Sequence, residues 1–149
     1  METAKAMCCF DTISFLDDAN PIAIGKLEDY KSFVKEYSNA FIAIGNPAIR
    51  KEWINRLKKA GFSLPILHHP SAVIMPSAKI GDASIIEALA LVNSNCIIKE
   101  GCIISAGAVI NHNAVIENCC HIDCNAVVPA RETVPEGTKV PCGTVFNLK

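Results

Sequence analysis

Two histidines in the second half of the chain, His112 and His121, are the side chains best suited to move a proton near neutral pH. His112 is followed by Asn113, whose amide can fix the ring's tautomer by hydrogen bonding but adds no charge to stabilise an imidazolium. The pair suits general-base chemistry, the removal of a proton from an attacking group; a solvated corner residue is the competing reading. His121 stands in a run of Cys119, Cys120, His121 and Cys124, which is a zinc-like donor set at first sight. Neighbours in an extended chain point to opposite faces, so Cys120 and His121 cannot share one tetrahedral ion, and no metal is expected. Cys124 and Cys142 lie 18 residues apart, and the repeat described next puts them side by side as thiols.

The element that must position these residues is a repeat of period six. Thirteen positions read Ile74, Ile80, Ile86, Val92, Ile98, Ile104, Ile110, Ile116, Ile122, Val128, Val134, Val140 and Phe146. Two places before them sit small residues from Ala72 to Ala126, with Ser84, Cys96, Cys102 and Cys120 among them; the rule decays at Glu132, Thr138 and Thr144. Neither a helical period nor simple strand alternation gives a β-branched residue at every sixth position, whereas a β-helix does. Three hexads make one coil, coils stack at about 4.8 Å, and the aliphatic residues fill the axis. Asn95, Gly101, Gly107, Asn113, Asn125, Gly137 and Gly143 fall at corners, where positive φ is expected. In this register Cys96, Cys102 and Cys120 are slightly enlarged alanines.

The composition narrows the function. The chain has 149 residues, half of them hydrophobic, and a net charge of −1, so no nucleic-acid surface is expected. No apolar run is long enough for a membrane span, and residues 1–10 lack the pattern of an export signal. The expected location is the cytoplasm, where eight cysteines remain thiols.

Residues 1–67 follow another grammar. Apolar runs at 13–16, 41–44 and 64–67 alternate with helical spacing at 27–37 and with a second helix opened by Pro47 and ended near Gly61. The expectation is a small, partial Rossmann-like α/β subdomain over 1–67, followed by a left-handed parallel β-helix of about four coils over 68–149. His68, His69 and Pro70 form the joint.

The order of these pieces resembles the hexapeptide-repeat sugar acetyltransferases of the sialic acid O-acetyltransferase and bacillosamine N-acetyltransferase type. The resemblance is carried by Phe15-Leu16-Asp17-Asp18, by residues 41–46 followed by Arg50, by His69-Pro70-Ser71-Ala72, and by 110–122. It implies a left-handed coil and acetyl-CoA as co-substrate, with a sugar or nucleotide-linked amino sugar as acceptor. It also implies His112 as general base with Asn113 beside it, His121 near the coenzyme's thioester, and Asp17, Asp18, Gly45 and Asn46 at the nucleotide sugar. Three departures stand out. The family opens with a strand and a glycine-rich turn toward the nucleotide phosphates, and this sequence has no glycine before Gly25. The family also carries about two further coils, whereas this sequence stops at Lys149, and it normally has an acidic residue where Asn113 stands.

Ile85, Leu91, Ile97, Ile103, Val109 and Val115 each precede an axis residue and so face outward. Apolar walls in such number imply a homotrimer. A non-catalytic trimeric scaffold is the alternative to the enzyme.

Overall fold

The computed structural model describes residues 1–147. From residue 67 onward the chain winds as a three-faced parallel prism. The first face stacks β1 (Leu67–His68), β4 (Ile85–Ile86), β7 (Ile103–Ile104), β10 (His121–Ile122) and β13 (Lys139–Val140). The second stacks β2 (Val73–Ile74), β5 (Leu91–Val92), β8 (Val109–Ile110) and β11 (Val127–Val128). The third stacks β3 (Lys79–Ile80), β6 (Ile97–Ile98), β9 (Val115–Ile116) and β12 (Thr133–Val134). Leu67 pairs with Ile85 and His121 with Lys139, so one coil is three hexads. β1 straddles the boundary expected between residues 67 and 68.

The axis is as the hexads require. Val92, Ile104, Ile110, Ile116, Ile122, Val128 and Val134 are completely buried, and so are Ala90, Cys96, Cys102, Ala108, Ala114, Cys120 and Ala126. Each buried Ile or Val contributes about 1.5 to 3 kcal/mol, which makes this column the main source of the prism's stability. The inward thiols also donate to carbonyls: Cys96 to Asn111 at 3.0 Å, Cys102 to Glu117 at 3.1 Å and Cys120 to Pro135 at 3.0 Å.

All seven expected Asn and Gly corners have positive φ, from 55° at Asn125 to 71° at Gly101. The backbone gives the reason. At such a corner the N–H must turn along the axis to the preceding coil, as Gly107 does to Ala88 at 3.0 Å and Asn113 to Ser94 at 3.0 Å. Ala83, Leu89, Cys119 and Arg131 adopt the same conformation without that tolerance, at about 1 to 2 kcal/mol each.

The amino-terminal part is sparser in regular structure. It holds α1 (Glu2–Ala6), a 3₁₀ helix (Leu27–Phe33) and α2 (Pro47–Ala60). The helix expected over 27–37 is therefore shorter and more tightly wound. Segments 13–16 and 41–44 run outside any ladder, and the one parallel bridge among the described residues of this part joins Asn39 to Ser63. α2 begins as its sequence requires: the Asn46 side chain accepts from the N–H of Ile49, Pro47 follows, and Gly61 closes it at φ 98°.

α2 is seated on one corner of the prism. That corner presents Ala83, Gly101, Cys119 and Gly137, small residues spaced by one coil; a Cβ on Gly101 would lie 2.5 Å from Cδ1 of Ile54. Beside them, Glu136 pairs with Lys51 and Glu100 with Lys58. Seven helical residues rise about 10.5 Å, and two coils rise about 9.6 Å, so helix and prism keep step. Arg50, 1% exposed, enters between them and donates to the backbone carbonyls of Ile44, Gly45, Gly101, Cys119 and Cys120.

Candidate active site

His112 lies on the corner after β8, exposed, with Nδ1 2.8 Å from the amide nitrogen of Asn113. In that orientation the amide donates to Nδ1, and the ring's proton sits on Nε2. A half-turn of the amide presents Oδ1 instead, which draws the proton to Nδ1 and frees Nε2 to act as a base. The corner's positive φ at Asn113 is what brings its side chain beside the ring.

His121 occupies the outward position of β10 but is half-buried. Its Nε2 lies 3.1 Å from Oγ of Ser105, itself 4% exposed, and 3.8 Å from Oδ1 of Asp123. Asp123 in turn pairs through Oδ2 with Lys139 at 3.0 Å. Burial holds the imidazole below its ordinary value; Asp123 opposes this, and Lys139 and the more distant Arg50 add to it. The ring is therefore neutral near pH 7. The Asp123 carboxyl is held low, first by the N–H of Cys124 and then by Lys139.

Glu87, Ser105 and Asp123 were not singled out from the sequence. Each directly follows an axis residue of the first face, and they are spaced by one coil. Reading the sequence in steps of 18 would have aligned them.

The structure does not bring all candidates together. His112 follows a strand of the second face, whereas His121 lies on the first, so one chain presents them on different sides of the prism. Asp17 and Asp18 are exposed at the rim of a cavity of about 320 Å³ that Lys26 and Asp29 also border. Each carboxylate already holds a turn: Oδ1 of Asp17 accepts from Ala19 and Asn20, and Oδ1 of Asp18 accepts from Leu27 at 3.0 Å. Gly45 is exposed, with open space where a Cβ would stand, and Asn46 caps α2. Among the described residues no group of three or more His, Cys, Asp or Glu is placed to hold a metal ion, and Cys124 and Cys142 are free thiols. No helix there is long and apolar enough to cross a membrane.

Comparison with known proteins places this geometry. The bacterial transferase hexapeptide model of six repeats matches residues 77–112, and the PglD N-terminal domain model matches residues 1–57. The chain thus carries hexapeptide repeats behind a PglD-type amino-terminal domain. The hexapeptide coil is the left-handed β-helix of about four turns seen in solved acetyltransferases. The acetyltransferase domain of PglB from Neisseria gonorrhoeae, in complex with acetyl coenzyme A, superposes with a TM-score of 0.87 at 28% identity, over 97% of this chain and 73% of that one. A second structure of the same domain gives 0.84 at 27% identity, over 98% of this chain and 83% of that one. PerB from Caulobacter crescentus, in complex with CoA and GDP-perosamine, gives 0.82 at 23% identity, over 98% and 81%, a likeness of fold. No curated protein sequence matches.

Proposed function

We propose that this hexapeptide-repeat protein is an acetyl-CoA-dependent acetyltransferase whose acceptor is a sugar amine, carried on a nucleotide. The observation that carries the reading is the near-complete superposition on a PglB domain that holds acetyl coenzyme A. His112 serves as general base: Nε2 takes the proton as the acceptor nitrogen attacks the thioester carbon, and the tetrahedral intermediate expels the thiolate of coenzyme A. Base assistance of this kind supplies roughly 100- to 10,000-fold. His121, neutral and tied through Nε2 to Ser105, turns its other nitrogen toward the thioester. Asp17, Asp18, Gly45 and Asn46 face the nucleotide sugar, with residues 1–67 as its binding subdomain and residues 68–149 as the catalytic coil.

A homotrimer completes the reading. On the second face Val73, Leu91, Val109 and Val127 form an unbroken outward aliphatic ladder, with Val73 51% exposed. Burial of that ladder between subunits drives association, and the separation of His112 from His121 calls for a site shared between neighbours. The setting is the cytoplasm, where acetyl-CoA is made.

Asn113, which gives an imidazolium at His112 no counter-charge, favours a second reading, a trimeric scaffold without activity. Calorimetric titration with acetyl-CoA separates the two. Saturable binding at one site per chain, together with acetyl transfer to nucleotide amino sugars that His112→Ala removes, supports the enzyme. No binding at millimolar coenzyme supports the scaffold.

A further inference from the structure

The outward residue stacked directly on His121, one coil further along the prism, is Lys139. Coils are spaced by about 4.8 Å, so the two side chains leave the wall next to each other. Nζ of Lys139 lies 3.0 Å from Oδ2 of Asp123, whose Oδ1 lies 3.8 Å from Nε2 of His121. Imidazole and amine thus share one carboxylate. Among the described residues the outward positions of the first face are Leu67, Ile85, Ile103, His121 and Lys139, so Lys139 is the only amine there. Its side chain is 60% exposed.

A primary amine held beside a thioester is an acyl acceptor in its own right, because proximity replaces encounter. The acetyl-transfer reading puts the coenzyme's thioester at His121, and the inference rests on that reading. We propose that Lys139 is a site of self-acetylation, its ε-amine taking the acetyl group from coenzyme bound beside His121 when no acceptor sugar is present.

The step balances. The ammonium first gives one proton to solvent. Nζ then attacks the thioester carbon; a C–N bond forms, the C–S bond breaks, and the proton shed by the nitrogen passes to the departing thiolate. Nδ1 of His121 relays it. The Ser105 hydroxyl and the Asp123 carboxylate both lie at Nε2 and hold the ring proton there, which leaves the Nδ1 lone pair open. The products are an acetylated lysine and free coenzyme A. Acetylation takes the cation from Asp123 and lays an amide against His121, so the modification limits itself and closes the site that made it.

Lys5 and Lys51 are matched controls. Each is 56% exposed and paired with a carboxylate, Glu2 and Glu136 respectively, but neither stands on the first face. The test adds acetyl-CoA alone to the full chain, with binding followed by calorimetry and acetylation of each lysine by peptide mass mapping. Lys139 should react about tenfold faster than Lys5 and Lys51 or better, at a rate that saturates in acetyl-CoA. His121→Gln should slow Lys139 by about tenfold and leave the two controls unchanged. Lys139→Arg keeps a cation beside Asp123 and should lose that one product. Acetic anhydride, which needs no binding site, should modify the three lysines at similar rates. A preference for Lys139 there too would overturn the proposal, since the side chain would then be reactive without a placed thioester. Coenzyme that binds while Lys139 reacts no faster than the controls overturns self-acetylation and leaves the acetyl-transfer reading intact; coenzyme that does not bind overturns both.

Discussion

Nε of Arg50 donates to the carbonyl oxygen of Gly101 at 2.7 Å, across 51 residues of chain. The rest of the guanidinium is likewise committed to backbone oxygens on both sides of the junction, and no carboxylate takes part. Burial lowers the guanidinium's affinity for its proton, yet an arginine stays charged in any protein setting, so the carbonyls must hold a full cation. Arg50→Met leaves several buried carbonyls without donors and should cost about 3 kcal/mol. For a chain of this length that lowers the melting temperature by about 6 to 12 °C. Arg50→Lys should recover little, since an ammonium cannot reproduce the planar fork. Urea unfolding of the three proteins checks both statements.

The corner beneath α2 offers a cleaner comparison. Gly101 and Gly143 both have positive φ, 71° and 67°, but only at Gly101 would a Cβ collide, with Cδ1 of Ile54; at Gly143 it meets open space. Gly143→Ala should therefore cost only the conformational penalty of about 1 kcal/mol. Gly101→Ala adds the displacement of Ile54, and the sum should approach 3 kcal/mol. Equal losses in urea midpoints would mean that α2 does not sit against this corner.

The same corner explains what the sequence did and did not disclose. The axis from Ile86 to Val140 and the Asn and Gly corners were legible because they are set by neighbours within one hexad. The seat of α2 was hidden because Ala83, Gly101, Cys119 and Gly137 become a column only when residues 18 apart are compared. Arg50 was legible as part of a resemblance, but three of its five carbonyl partners, Gly101, Cys119 and Cys120, lie more than fifty residues away. Ser105, Asp123 and Lys139 around His121 were hidden for the same reason: each looks like an ordinary surface residue until the coils stack. Segments 13–16 and 41–44 have the composition of strands, but among the described residues they join no ladder.

Acid should weaken the fold through His121. Its native ring binds a proton less readily than the ordinary value of 6.5, because burial outweighs Asp123. Below that value the unfolded chain takes up more protons than the native one, so this contribution is complete above pH 6.5 and is lost as the pH falls toward the native value. Asp123 behaves as a depressed carboxyl whose contribution persists down to about its ordinary value of 3.8 and is lost only below it. Urea midpoints of the wild type should fall between pH 7.5 and 5.0, and His121→Gln should remove part of that fall; an unchanged slope would place the titrating group elsewhere.

The strongest test of the site lies in Asn113, whose amide meets Nδ1 of His112 at 2.8 Å. An amide orients the ring but leaves a developing imidazolium without a counter-charge. Asp tolerates the corner's φ of 61° as Asn does, so Asn113→Asp should keep the fold while adding that charge. If Nε2 of His112 is the base, kcat/KM for an amine acceptor should rise about tenfold, the effect of roughly 1.4 kcal/mol in the transition state, and the acid limb of the pH profile should move to higher pH. Asn113→Ala should lose about as much, since the ring is then free to hold its proton on Nε2. Both effects should vanish in a His112→Ala background, because the residue at 113 acts only through the ring. A gain from Asn113→Asp that survives without His112 would place the base elsewhere and leave His112 as a solvated corner.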